Sequence, residues 1–188
     1  MIVGIFVGGR SSRMGGVPKG LLPAPDSGEP LVVRSVRIIR QAGHTPVLVG
    51  AADAYHAALP DLSRVADEPA GVGPLGGLNA LLRAAGRASA IAIACDMPFV
   101  SSALLKRLAA YPSTAPVLAA RNDAGKWEPL CARYDAERVR PVLERALERG
   151  GRSFQGLLAR VAVEVLELGE GERTALLDWD TPEDVTRC

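Results

Sequence analysis

Gly8 and Gly9, then Arg10, Arg13 and Lys19, follow directly on the apolar run Ile2-Val3-Gly4-Ile5-Phe6-Val7. Glycines leave backbone N–H groups open to a ligand, and cations beside them complement negative charge. At the carboxyl end of a strand this combination makes an anion loop, on the edge where open α/β sheets take their ligands. Spacing excludes the two commonest phosphate loops. A Walker loop ends in Gly-Lys-Ser/Thr, whereas Lys19 stands between Pro18 and Gly20. A dinucleotide fingerprint needs Gly-x-Gly-x-x-Gly, but Gly8 and Gly9 are adjacent, the next glycine is Gly15, and Pro18 would disrupt a helix interior. The stretch reads either as a longer, wrapped phosphate loop closed by Lys19 or as a solvated surface loop.

Four later segments stand at the ends of expected strands. Asp67-Glu68-Pro69 runs into Gly71-Val72-Gly73-Pro74-Leu75-Gly76-Gly77, which is either a surface to lay a flat base against backbone or an ordinary Gly-Pro turn. Cys95-Asp96-Met97-Pro98-Phe99 sets a carboxylate just past an apolar strand. Asp96 there is a candidate Mg²⁺ ligand, since that ion takes a few carboxylates plus phosphate oxygens, or else a turn former. Lys126-Trp127-Glu128-Pro129-Leu130 offers Trp127 as a stacking face or is simply a hairpin with an exposed aromatic. Asp178-Trp179-Asp180-Thr181-Pro182-Glu183-Asp184 places Asp180 as a second metal ligand or as part of a helix cap. Cys95 reads as packing, and His44 and His56 as surface residues.

The elements that must position these residues alternate between strand and helix. Expected strands cover 2–7, 46–49, 63–66 and 90–94, the last apolar throughout and so central, covered on both faces. Expected helices cover 30–42, 53–59, 75–85 and 101–111, with Arg34, Arg37 and Arg40 on the outer face of the first. Further along, strands over 115–120 and 129–134 flank the turn Asn122-Asp123-Ala124-Gly125, a charged helix covers 135–149, a short helix 153–160 and a strand 161–168. A last helix starts at Pro182 behind Thr181. This order argues for an α/β fold of three layers, Rossmann-like, with a mainly parallel mixed sheet.

The chain has 188 residues, 48% of them hydrophobic, and a formal net charge of +1, which suits one domain spanning 1–188 with no general attraction to nucleic acid or membrane surfaces. Three widely spaced cysteines form neither a zinc pattern nor a disulfide framework, and no apolar run approaches a membrane span. The expectation is a cytoplasmic protein.

Taken in order, these segments resemble the molybdenum cofactor guanylyltransferase family, within the wider nucleotidyltransferase group. That family opens on Leu-Ala-Gly-Gly-x-Ser-x-Arg-Met-Gly followed by Lys-Leu-Leu; this chain reads Phe6-Val7-Gly8-Gly9-Arg10-Ser11-Ser12-Arg13-Met14-Gly15, then Lys19-Gly20-Leu21-Leu22. Gly-Pro-Leu-x-Gly stands at 73–77, Cys-Asp-x-Pro-Phe at 95–99 and Thr-Pro-Glu-Asp at 181–184. The resemblance implies nucleotide contacts at Phe6, Val7, Gly8, Gly9, Lys19, Asp67 and Asp96, with Arg13, Lys19 and Asp96 serving the transfer and Asp96 and Asp180 holding Mg²⁺. It implies GTP and molybdopterin as partners in the reaction, and transient contact with molybdenum-insertion or molybdoenzyme maturation proteins. Several positions depart from the pattern: Phe6-Val7 stands for Leu-Ala, where backbone makes the contact. Gly50 replaces a polar residue, and Asp178-Trp179-Asp180 replaces Asn-x-Asn, which is closer to cytidylyl branches. The alternatives are therefore a cytidylyl or other nucleotidyltransferase with a different phosphorylated acceptor, or a nucleotide-binding protein without turnover.

Overall fold

A computed structural model describes residues 1–8, 18–179 and 184. Seven strands form one sheet: β1 (Ile2–Phe6), β2 (Thr45–Val49), β3 (Arg64–Val65), β4 (Ser89–Ala94), β5 (Val117–Arg121), β6 (Trp127–Asp135) and β7 (Val163–Val165). Their order across the sheet is β3-β2-β1-β4-β6-β5-β7. β1 pairs in parallel with β2 and β4, β2 with β3, and β5 with β7; β6 alone runs against its neighbours β4 and β5. The expected mainly parallel mixed sheet is thus present.

The period-two alternation of β1 sends its side chains to two separate cores. Val3, Ile5 and Val7 join Val32, Val36, Ile39, Leu104, Leu105 and Leu108 on one face. These come from α1 (Leu31–Gln41) and α3 (Ser102–Ala110). On the other face Phe6 joins Leu75, Leu78, Leu81, Leu82, Val139 and Leu143, from α2 (Pro74–Ala85) and α4 (Ala136–Glu148). The short α5 (Phe154–Leu158) closes this second layer, with Phe154 edge-to-face on Phe6 at 6.1 Å. β4 is buried from Ala90 to Ile93, as a strand covered on both sides must be.

Local signals account for the element ends. Ser101 caps α3 by accepting from Leu104 N, Asp135 caps α4 by accepting from Arg138 N, and Ser153 caps α5 by accepting from Gly156 N. Pro74 occupies the first turn of α2, where its missing N–H costs nothing. At the far end of α3, Arg133 donates one guanidinium nitrogen to the carbonyls of Leu108, Ala109 and Tyr111, neutralising the exposed end of the helix dipole.

Several boundaries differ from the sequence reading. The helix expected over 53–59 is a 3₁₀ turn at Asp53–Tyr55, and the strand expected over 161–168 is confined to Val163–Val165. Arg34, expected outside, is buried: it donates to Asp26 at 3.0 Å and to the carbonyl of Val100 at 2.9 Å. An arginine carries a long apolar stem, so a helix face interrupted by one can still be buried when a carboxylate and a carbonyl meet its head. The final helix expected from Pro182 lies outside the described residues. Among the described residues no helix is long and apolar enough to cross a membrane.

Candidate functional site

β1 and β4 are adjacent and end level, with Phe6 opposite Ala94. The pairing runs one step further, Cys95 N donating to Phe6 O at 3.1 Å, while Val7 N donates to Val49 O at 3.0 Å on the other side. Phe6, Val7, Gly8, Gly50, Asp67 and Asp96 therefore gather at the carboxyl edge of β1–β4, the ligand edge of such sheets.

Lys19 and Asp96, 77 residues apart in sequence, meet there: the ammonium donates to Asp96 Oδ2 at 2.8 Å. Lys19 opens a 3₁₀ turn, Lys19–Leu21. That turn is seated on Tyr55. A Cβ on Gly20 would stand 2.7 Å from Tyr55 Cε1, so only glycine permits this approach. The Tyr55 hydroxyl meets the backbone of Gly20 and the thiol of Cys95, and burial raises its pKa well above the ordinary phenol range. Burial, with Asp96 nearby, pushes the Cys95 thiol up to about 12, so it packs as a neutral group and is no nucleophile. Tyr55 thus braces the Lys19 turn from below. Sequence reading missed it, because it sits in a turn with no motif of its own.

Asp67 lies across β1 from Asp96. Its carboxylate is walled by glycines. A Cβ on Gly77 would come within 3.0 Å of Asp67 Oδ1 and of Phe6 Cε1, and a Cβ on Gly76 within 2.6 Å of the Pro69 carbonyl. The Asp67–Pro69 segment is tied to α2 by Glu68 N donating to Gly76 O at 3.1 Å and by Asn79 Nδ2 donating to Glu68 O at 2.9 Å. Burial raises the Asp67 carboxyl above its usual range, and among the described residues it accepts no hydrogen bond. It is a half-buried acceptor without a donor among the described residues.

On the other side of Asp96 the antiparallel β6 brings its start to the same edge. Glu128 accepts from Asn122 Nδ2 at 2.7 Å, and Asn122 Oδ1 is itself fixed by Ala124 N at 3.1 Å and Lys126 N at 3.0 Å. Burial raises the Glu128 carboxyl despite the Asn122 bond, and the nearby Asp178 adds to that shift. The next residue after Asp178, Trp179, donates its backbone N–H to Asp96 O at 3.0 Å, which links this cluster to the centre of the edge. Trp127 is half-buried, with the Arg121 guanidinium 3.8 Å above its ring. Neither a free stacking face nor an exposed aromatic describes it. Nothing in the sequence marks Glu128 apart from its place beside Trp127.

Residues 3–163 match the MobA-like NTP transferase domain. A molybdenum cofactor guanylyltransferase of Pseudomonas putida is 37% identical over 195 residues, covering 95% of this chain and 92% of that protein. A probable molybdenum cofactor guanylyltransferase of Opitutus terrae is 34% identical, covering 97% and 92%. In structure, molybdopterin-guanine dinucleotide biosynthesis protein A from Archaeoglobus fulgidus superposes with a TM-score of 0.80 at 27% identity, over 100% of this chain and 96% of that one. The chain belongs to the molybdenum cofactor guanylyltransferase family. It is a nucleotidyltransferase with the α/β fold of that family.

Against the family's sequence pattern, Gly50 has a backbone reason. Its φ is +101°, a conformation that L side chains rarely adopt, and it sits between Gly8 N and the Asp67 carboxylate. Gly20 follows Lys19 in place of the family's leucine because Tyr55 fills the space. Gly9, Arg13 and Asp180 lie outside the described residues. Among the described residues no three His, Cys, Asp or Glu side chains converge as metal ligands.

Proposed function

We propose that this nucleotidyltransferase transfers GMP from GTP to the terminal phosphate of molybdopterin, releasing pyrophosphate. The observation that carries the choice of base is Asp67. A half-buried carboxylate with no donor among the described residues, walled by Gly50 and Gly77, suits a flat ring that presents two parallel N–H groups. Guanine offers such an edge, N1–H beside its 2-amino group. Cytosine offers one amino group and no neighbouring N–H.

Phe6, Val7, Gly8 and Gly9 supply backbone to the nucleotide, and Lys19 and Arg13 offset charge on the triphosphate. Asp96 would hold Mg²⁺, with Asp180 as its second ligand. That ion takes one or two carboxylates and fills its shell with water and phosphate oxygens, so these donors fit its chemistry. Bound there, it would supply positive charge against the triphosphate. In the transfer, an acceptor phosphate oxygen bonds to the α-phosphorus as the bridge to the β-phosphate breaks, and pyrophosphate leaves with that electron pair. The nucleophile is already ionised at neutral pH, so alignment and charge neutralisation suffice and no general base is needed. Lys19 and Asp96 neutralise each other at 2.8 Å; a triphosphate would take over the ammonium, and Asp96 would then be free to hold the cation.

The chain acts as one domain over 1–188, in the cytoplasm, and hands its product on through transient contact with molybdenum-insertion or molybdoenzyme maturation proteins. The test is pyrophosphate release. With GTP and Mg²⁺, release should require molybdopterin and should vanish in Asp96→Ala; release without acceptor, or none at all, counts against the proposal.

A further inference from the structure

We infer that Glu128, held by Asn122, is the residue that recognises the pterin ring of the acceptor; this rests on the guanylyl-transfer reading above. The site is built on two sides of Asp96. The nucleotide side, β1 to β3 with the glycine loops, is spoken for by GTP. The acceptor must then approach over β6 and β5, where Asn122, Glu128 and Asp178 stand.

That side carries carboxylates, and most of the acceptor repels them. Molybdopterin is anionic at its terminal phosphate and at its sulfur-rich metal-binding end. One portion donates hydrogen bonds to a carboxylate: the pyrimidine edge of the pterin, where a ring N–H lies beside a 2-amino group. Guanine carries the same pair of donors. Asp67 and Glu128 are correspondingly alike, both half-buried and both raised by burial, one on each side of Asp96.

Glu128 is prepared for this role. Asn122 donates to its Oε1 at 2.7 Å, and Asn122 cannot rotate away because its own oxygen is held by two backbone N–H groups of the turn. Asn122 is its one hydrogen-bond partner among the described residues, so Oε2 is left to receive a ligand N–H. A carboxylate so oriented accepts a planar pair of donors without the cost of ordering itself first. It also rejects a ring that lacks them, because the buried acceptor then stays unpaired.

The test compares a phosphorylated 6-hydroxymethylpterin with its lumazine counterpart, in which a 2-oxo group replaces the 2-amino group. Binding is followed by ring fluorescence in wild type and in Glu128→Gln. The glutamine oxygen can still accept from Asn122, so the turn is kept while the free oxygen becomes an amide. Wild type should prefer the pterin by roughly 10- to 100-fold, and Glu128→Gln should reduce that preference to about threefold or less, with GTP affinity unchanged in both. Glu128→Gln that keeps the preference, or that weakens both rings equally, overturns the assignment. A wild type that transfers GMP to molybdopterin yet does not distinguish the two rings sinks the Glu128 role alone. A wild type that binds GTP and shows no transfer sinks the reading beneath it as well.

Discussion

The proposed nucleotide and acceptor sides of Asp96 are built from different materials. On the proposed nucleotide side β1, β2 and β3 run parallel, and glycines at 50, 76 and 77 let the Asp67–Pro69 segment pack close against α2 and the ends of β1 and β2. On the acceptor side β6 runs antiparallel, the hairpin turn at 122–125 does the positioning, and side chains make the surface. Backbone reads any nucleoside triphosphate well. Side chains on a hairpin can be exchanged without disturbing the sheet.

The largest effect should come from the residue both sides share. Asp96→Ala is expected to lower kcat/KM by about 10³-fold, as loss of a preorganised charge partner at the reacting phosphate does, with the fold intact by circular dichroism. Lys19→Ala touches the nucleotide side and should cost about 10²-fold in transfer. If acceptor KM rises in Lys19→Ala while GTP KM does not, the assignment of sides is reversed.

Gly76→Ala sharpens the backbone claim. Its Cβ would press on the Pro69 carbonyl at 2.6 Å, so the Asp67–Pro69 segment must move. A stability loss of about 1–3 kcal/mol and a raised GTP KM are expected, with acceptor KM unmoved. Denaturant melts and steady-state kinetics check both.

The smallest effect is thermodynamic. Burial raises the Asp67 pKa, so the folded chain holds that proton more tightly than the unfolded one. Stability from this group is therefore greatest at low pH and is lost as pH climbs from the ordinary value of 3.8 through the raised one. Asp67→Asn carries no such cost. At pH 7 it should melt about 1–3 °C above wild type, converging with it below pH 4, while GTP binding weakens. A lower Tm at pH 7 would show that the carboxylate is paired and not waiting for a base.

Much of the fold around Asp96 was legible in the residues themselves. β1, β2 and β4 fall close to where the apolar runs put them, and Pro74 opens α2 behind its glycines. The acceptor side was harder to read. β7 is three residues long and half-buried, so its sequence lacks a core period. Glu128 gains its character from Asn122, six residues away across a turn, and from Asp178, fifty residues on. Tyr55 was invisible for a similar reason, since its partners Gly20 and Cys95 are distant in sequence. Arg34 is the opposite case: its charge reads as a surface mark, yet Asp26 and the Val100 carbonyl receive it in the interior.

The central claim is that this family member chooses guanine and hands GMP to a pterin phosphate. One competition decides it. Equal concentrations of α-labelled GTP and CTP are offered with Mg²⁺ and molybdopterin, and the labelled dinucleotide is resolved by chromatography. The product should carry guanosine, with cytidine at no more than about a hundredth of it. A product carrying mainly cytidine, or label that never reaches the pterin, would contradict it.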